Sequence, residues 1–387
     1  MTSNNLTGRR IHIAGCLGEG DSCSTEEAEA ARFTVELLVK KLLERGAGFV
    51  VPIDREPVRG GDQLPICFDW LIWETISKNL ALRPSKALST VAVAVQHHKS
   101  ESQVPGDKAE LWDTFRSSDL VSIENASFWN MNSKRMEAQE KHGDVLITIG
   151  GSEGVLYLAD LYHQAGKPVI PLNFAVCPEG RGSRKLFLNA LDSARSSKFF
   201  RVEGDLDSHA WINRINFTAR QTTEKRAEEI IRLLESLSLP TVFGVRLLNK
   251  KHGDFSEVED YFSAIVEPVI KDEFGLLYQV VDGSRENEHP TIDSEIFAKL
   301  HRASVVVVDL TAARPNCFIE LGYALGRGLP LIILAKEGTS IPFDVHSIPG
   351  LHWIPTDSVK NKKVALIDYW NANIRRPPLV TNESLAS

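Results

Sequence analysis

Residues Val145-Leu146-Ile147-Thr148-Ile149-Gly150-Gly151-Ser152-Glu153-Gly154-Val155 decide how the first half of the chain is read. Five apolar or β-branched residues run into a glycine pair and a helical pattern follows, so the segment is a strand, a tight turn and a helix start. Glycines at a strand's carboxyl end let backbone N–H groups approach a ligand, and the helix N-terminus adds about half a positive charge. Gly150, Gly151, Ser152, Glu153 and Gly154 are therefore candidate ligand-binding residues.

The same pattern recurs upstream. Ile11 to Ala14 form a short strand, Gly15-Cys16-Leu17-Gly18-Glu19-Gly20-Asp21 a turn, and about Ser24 to Arg45 a helix with a Ser24/Glu27 capping box. The two turns fall at one edge of a sheet, where open α/β sheets take ligands, which adds Gly15 and Cys16 to the candidates. Further strands fit 48–53, 90–95, 120–123 and 169–172, with helical stretches between most of them. The segment from Cys177 to about Phe217 reads as less regular, and Thr222 to Ser236 as an amphipathic helix. Arg181 and Arg184, in a glycine-rich loop, are candidates to clamp a phosphate.

Leu237-Ser238-Leu239-Pro240 then interrupts the helix, because proline cannot continue it. A second series follows: strand 242–248, helix 257–272, strand 276–281, helix 293–301, strand 305–309, helix 317–327 and strand 331–334. The expected fold is α/β, with two Rossmann-like domains, each a mostly parallel sheet with helices on both faces. Their expected bounds are 1–238 and 239–373, with a flexible tail over 374–387.

Composition supports a folded two-domain chain: 387 residues, 43% hydrophobic and 25% charged. A net charge of −7 gives no general attraction to nucleic acid or to an anionic membrane. The opening residues lack a secretory apolar stretch and no window is long enough to span a bilayer, so a cytoplasmic protein without a membrane partner is expected. Cys16, Cys23, Cys67, Cys177 and Cys317 have neither zinc-site nor disulfide-framework spacing, so reduced thiols and no metal site are expected.

The second candidate site lies in Val305-Val306-Val307-Val308-Asp309-Leu310-Thr311-Ala312-Ala313-Arg314-Pro315-Asn316-Cys317-Phe318-Ile319-Glu320-Leu321-Gly322-Tyr323-Ala324. A buried strand ends in Asp309, and Glu320 lies just inside an otherwise apolar helix near a sheet edge, where it could be an acid, base or nucleophile. Cleaving a ribosyl N-glycosidic bond needs a carboxylate facing the anomeric carbon, which suits Glu320. Asp309 and Asn316 are then candidates to orient the sugar or help the base leave. Arg246 and Phe255, beside the first strand of this half, and Asp282, at the end of the next, are weaker substrate-binding candidates.

The Gly150-Gly151 turn together with Gly166-Lys167-Pro168-Val169-Ile170-Pro171 resembles the SLOG group, relatives of the LOG proteins and DNA-processing Rossmann folds, over about residues 9 to 236. LOG phosphoribohydrolases carry Pro-Gly-Gly-x-Gly-Thr followed by acidic residues, whereas this chain has Ile149 for the proline and Val155-Leu156-Tyr157-Leu158 at the helix start. The resemblance therefore implies a sensor of a nucleotide second messenger, as in bacterial defence proteins, rather than a hydrolase in this half. The stretch around Glu320-Leu321-Gly322-Tyr323-Ala324 resembles nucleoside 2-deoxyribosyltransferases, which implies Glu320 as nucleophile and Asp309 as the strand-end aspartate. It departs at Arg314, where transferases usually carry another Asp. TIR domains share the broad topology and break NAD with a helix-borne glutamate.

These resemblances imply a signal-gated N-glycosidase acting on NAD or a nucleoside or nucleotide, in bacterial anti-phage defence. No cofactor is required in this reading; a nucleotide second messenger is the activator, small nucleotides are the partners, and self-association is expected. The alternatives are a non-catalytic nucleotide-binding signalling protein and a LOG-like nucleotide phosphoribohydrolase.

Overall fold

The computed structural model describes residues 6–18, 22–84, 90–97, 99–126, 132–193, 196–202, 207–217, 221–281, 292–341, 348–374 and 376. The chain divides into two compact units, Met1–Ser238 and Leu239–Ser387. In both, parallel strands are covered by helices on both faces, the Rossmann-like α/β architecture that the periodicity implies.

Unit one holds β1 (Arg10–Cys16), β2 (Gly48–Pro52), β3 (Ala92–Gln96), β4 (Val121–Asn125), β5 (Val145–Gly150) and β6 (Val169–Leu172) in the order β4-β3-β2-β1-β5-β6. Its central strands are buried along nearly their whole length, as parallel strands sandwiched between helices must be. Helix α1 (Thr25–Glu44) buries Ala28, Ala31, Val35, Leu38, Val39, Leu42 and Leu43, a stripe at three- and four-residue spacing. Its Ser24 cap and Glu27 close a reciprocal capping box. Helix α2 (Asp69–Asn79) packs on α1, as does α8 (Thr223–Ser236), whose Glu228 and Glu235 pair with Lys41 at 3.1 Å and Arg45 at 2.5 Å. Helices α4 (Asn132–His142), α5 (Glu153–Gln164) and α6 (Gly182–Asp192) make the other layer, and the short α3 (Ala109–Arg116) leads into β4. The 177–217 segment, expected to be irregular, holds α6 and α7 (Ser208–Arg214). In α6, Ser183 Oγ donates to backbone carbonyls of Thr148 and Leu172 and meets Thr148 Oγ1 at 2.9 Å, stitching the helix to β5 and β6.

Unit two holds β7 (Thr241–Val245), β8 (Leu277–Gln279), β9 (Val305–Asp309), β10 (Leu331–Lys336) and β11 (Leu351–Trp353) in the order β11-β10-β9-β7-β8. Helix α9 starts at Phe255–Tyr261 and continues as wider π-helical turns over Phe262–Val266 and Val269–Glu273. Pro268 lies between those turns and has no N–H to give to an α-helical ladder. Helices α10 (Ile292–Arg302), α11 (Pro315–Gly326) and α12 (Val359–Asn373) complete the unit. Two apolar cores flank its sheet: Val242, Val305 and Val307 face α9 and α12, while Phe243, Val245, Val306 and Val308 face α10 and α11. β11 and α12 were not anticipated from the sequence. Most of the tail, 377–387, lies outside the described residues.

Among the described residues no helix is long and apolar enough to cross a membrane, and no group of His, Cys, Asp and Glu is arranged to hold a metal.

Candidate functional sites

In an open parallel sheet the crevice for ligands forms where the strand order reverses. In unit one that point lies between β1 and β5. Gly15 pairs with Ile149 and Cys16 with Gly150, so the two glycine turns meet at one edge. Close approach requires glycine here: a Cβ on Gly15 would lie 1.8 Å from the Ile149 carbonyl oxygen. The Gly150-Gly151 turn is itself tightly packed. Gly151 N–H donates to the Cys16 carbonyl at 2.8 Å, and a Cβ on Gly182, the first residue of α6, would sit 2.2 Å from the Gly150 oxygen. The open part of the edge is the start of α5, where Ser152 and Glu153 are exposed and Ser152 makes no side-chain cap.

The arginine clamp divides. Arg184 is engaged by the protein: its guanidinium donates to Asn173 Oδ1 at 3.2 Å, the Cys177 carbonyl at 3.0 Å and Glu179 Oε1 at 2.7 Å. Those three acceptors lie within eleven residues and fix the loop ahead of α6. Arg181, the N-cap of α6, is exposed. Glu19, Gly20 and Asp21 of the first turn lie outside the described residues.

Sequence reasoning missed a carboxylate group beside this edge. Asp54, just past β2, pairs with Arg135 of α4, and Asp69 opens α2 near Cys16 and Cys67, whose thiols are raised mainly by burial and further by the Asp69 charge. Burial pushes the Asp69 carboxyl up to about 7 against the pull of Arg135. A strand-end carboxylate at Ile53-Asp54 was the available signal, the same one that picked out Asp309.

In unit two the reversal lies between β7 and β9. A cleft of about 160 Å³ opens there, lined by Phe243, Gly244, Arg246, Leu248, Val281, Ile296, Arg314, Asn316, Cys317 and Glu320. Three of the expected residues, Arg246, Asn316 and Glu320, thus share one cavity. Pro315 occupies the first turn of α11, where its missing N–H costs nothing, and aims Asn316 and Glu320 into the cleft wall. Glu320 is half-buried, and among the described residues it has no hydrogen bond or ion pair. Burial pushes its carboxyl up to about 7. Arg246 stacks over the Phe262 ring at 5.0 Å and pairs with Glu259 at 2.6 Å, so its charge is already answered.

Two expected residues are elsewhere. Asp309 is fully buried, accepting from Thr311 N–H and Trp353 Nε1, both at 3.0 Å. It shares the sheet face of Val305 and Val307, so it ties β9 to β11 and does not line the cleft; the catalytic role expected of it gives way to a structural one. Phe255 packs against that same core and is also absent from the lining. Asp282 lies outside the described residues.

Both units are therefore open parallel α/β sheets of the Rossmann-like kind, with candidate ligand edges where the strand order turns. A family model described as "ATP nucleosidase Cap17-like, N-terminal" matches residues 6–234, and the chain belongs to that family. No curated protein matches. The X-ray structure of TM1055, a structural genomics target, is similar to this chain at 18% identity and TM-score 0.30, covering 59% of this chain and 98% of that one.

Proposed function

We propose that the protein is an N-glycosidase acting on a nucleotide or NAD, with Glu320 as the carboxylate that faces the anomeric carbon. The observation that carries this reading is a half-buried carboxyl, without a partner among the described residues, in a cleft at a sheet's switch point, beside Asn316. Membership of a family described as the N-terminal part of ATP nucleosidases supports the same bond class. In the reaction the C1′–N bond breaks and its electron pair leaves with the base, while water supplies the new hydroxyl at C1′ and its other proton neutralises a base that departs as an anion. Ionised Glu320 stabilises or traps the positive charge that develops on the sugar, and Asn316 orients sugar hydroxyls.

In this reading residues 239–373 form a domain related to nucleoside deoxyribosyltransferases and TIR domains, and residues 1–238 a sensor. A nucleotide second messenger bound at Gly15, Cys16 and Gly150 to Gly154, reached by Arg181, favours the active arrangement and so gates the enzyme. No cofactor is required. The working form is a cytoplasmic homo-oligomer, and the setting is anti-phage defence.

One observation favours a second reading. Asp69 is also an acid pushed up to about 7, and it lies in the unit that the family model covers. A LOG-like phosphoribohydrolase in unit one would use it. Parallel assays of base or nicotinamide release from ATP and NAD separate the two. Glu320→Gln should lower the rate by about 10²- to 10⁴-fold, with Asp69→Asn near wild type; the reverse pattern would replace the first reading by the second.

A further inference from the structure

Two guanidinium groups line the unit-two cleft, and they stand in different electrostatic positions. Arg246 is held by Glu259, with 6% of its side chain exposed. Arg314, the N-cap residue of α11, has no ion pair or side-chain hydrogen bond among the described residues, yet its side chain lines the same cavity. A guanidinium in a cleft with no internal counter-charge has its donors available for a ligand's anion, whose two oxygens it can take bidentately.

The anion it recognises is not Glu320. Glu320 lies six positions beyond Arg314, on the order of 9 Å of rise along α11, and it is pushed up by burial with no cation drawing it back. Arg314 does act on the nearer Cys317 thiol. One wall of the cleft thus presents, from the N-cap of α11 onward, a guanidinium, an amide at Asn316 and a carboxyl, the two charged groups without a partner among the described residues. That spacing suits a ribose whose anomeric carbon meets the carboxyl while its 5′ arm runs back toward the helix start. First-turn N–H groups there also favour a negative charge.

We propose that Arg314 anchors the phosphate attached to the 5′ carbon, so the cleft takes 5′-phosphorylated nucleosides in preference to free nucleosides. This rests on the reading of Glu320 as the residue facing C1′. Because the recognised group is the first phosphate of the chain, AMP, ADP and ATP gain together over adenosine.

The test uses the full chain as wild type, Arg314→Gln, Arg314→Lys and Glu320→Gln, each shown by thermal unfolding to be folded, with neither Arg314 variant unfolding below the wild-type temperature. Adenine release from adenosine, AMP, ADP and ATP is followed by chromatography. The anchor is supported if wild type prefers all three nucleotides and Arg314→Gln cuts the AMP-to-adenosine ratio of kcat/KM by about 10- to 100-fold. That loss should fall mainly on KM, and Arg314→Lys should restore part of it. An unchanged ratio with Glu320→Gln inactive overturns the anchor alone, whereas a wild-type rate in Glu320→Gln overturns the reading beneath it. If no adenine appears from any substrate, calorimetric titration of AMP decides: binding that weakens in Arg314→Gln supports the anchor, and binding that does not overturns it.

Discussion

Replacing Glu320 by Gln should make the fold more stable at alkaline pH while removing activity. Burial raises this carboxyl from 4.5 to about 7, which corresponds to about 3 kcal/mol against its ionised form. Partial contact with water screens that cost, leaving about 1–2 kcal/mol. The sign follows from proton linkage. A carboxyl with a higher value folded than unfolded binds more protons in the native state, so stability falls as pH rises from about 4.5 to about 7 and stays lower above. Glutamine fills the same space without a charge. Urea unfolding of both proteins at pH 5 and pH 8 should therefore give nearly equal stabilities at pH 5. At pH 8 the variant should lead by about 1–2 kcal/mol, read on the transition that includes unit two. Equal stability at pH 8, or a variant less stable there, would mean that the glutamate is well solvated or gains a partner, and the case for a poised carboxylate would fail.

Two further predictions concern groups away from the clefts. His12 in β1 is fully enclosed, with Nδ1 3.1 Å from the Tyr162 hydroxyl, and burial lowers it to about 3; stability should fall as pH drops below about 6.5, and a His12→Gln variant should lose less over the range down to about 3, measured by thermal unfolding across pH. Asp309→Ala should destabilise unit two by about 3 kcal/mol or more, because it leaves Trp353 Nε1 and Thr311 N–H buried without an acceptor; a loss of activity in Asp309→Asn at unchanged urea midpoint would instead restore a catalytic role.

What the sequence discloses depends on how local the determining physics is. The α1 start was readable because Ser24 and Glu27 settle it between themselves, and β6 and β9 because both faces of a parallel strand are apolar. Helix α12 was not, because Leu366 and Trp370 are its buried residues while Lys360, Lys362 and Lys363 interrupt any apolar period. The three-residue β11 exists through pairing with β10, a long-range relation. Site residues follow the same rule. Glu320 stood out as a charge near an apolar stripe, and its helix does line the cleft. For Asp309 the alternation with Val305 and Val307 gave the right face, but which face carries α11 and the cleft is decided by the chain crossover, which periodicity does not contain. Arg184 looked free in a glycine-rich loop, and its neighbours Asn173 and Glu179 engage it after the loop closes.

The charged groups at the two candidate sites differ in whether the protein already answers them. Arg184 and Arg246 already have protein acceptors at hydrogen-bond distance, so an incoming phosphate would share either guanidinium with a protein partner. Arg314 and Glu320 have none among the described residues, and α11 holds them apart, so neither charge silences the other. A helix is a good scaffold for that arrangement. Its rise fixes the separation, its packed face at Cys317, Leu321 and Ala324 holds it against the sheet, and the cost of an unanswered carboxyl is borne by a core that is otherwise apolar. Relieving that cost with a neutral residue should therefore raise stability and abolish function together, whereas a purely structural glutamate would lose stability when neutralised.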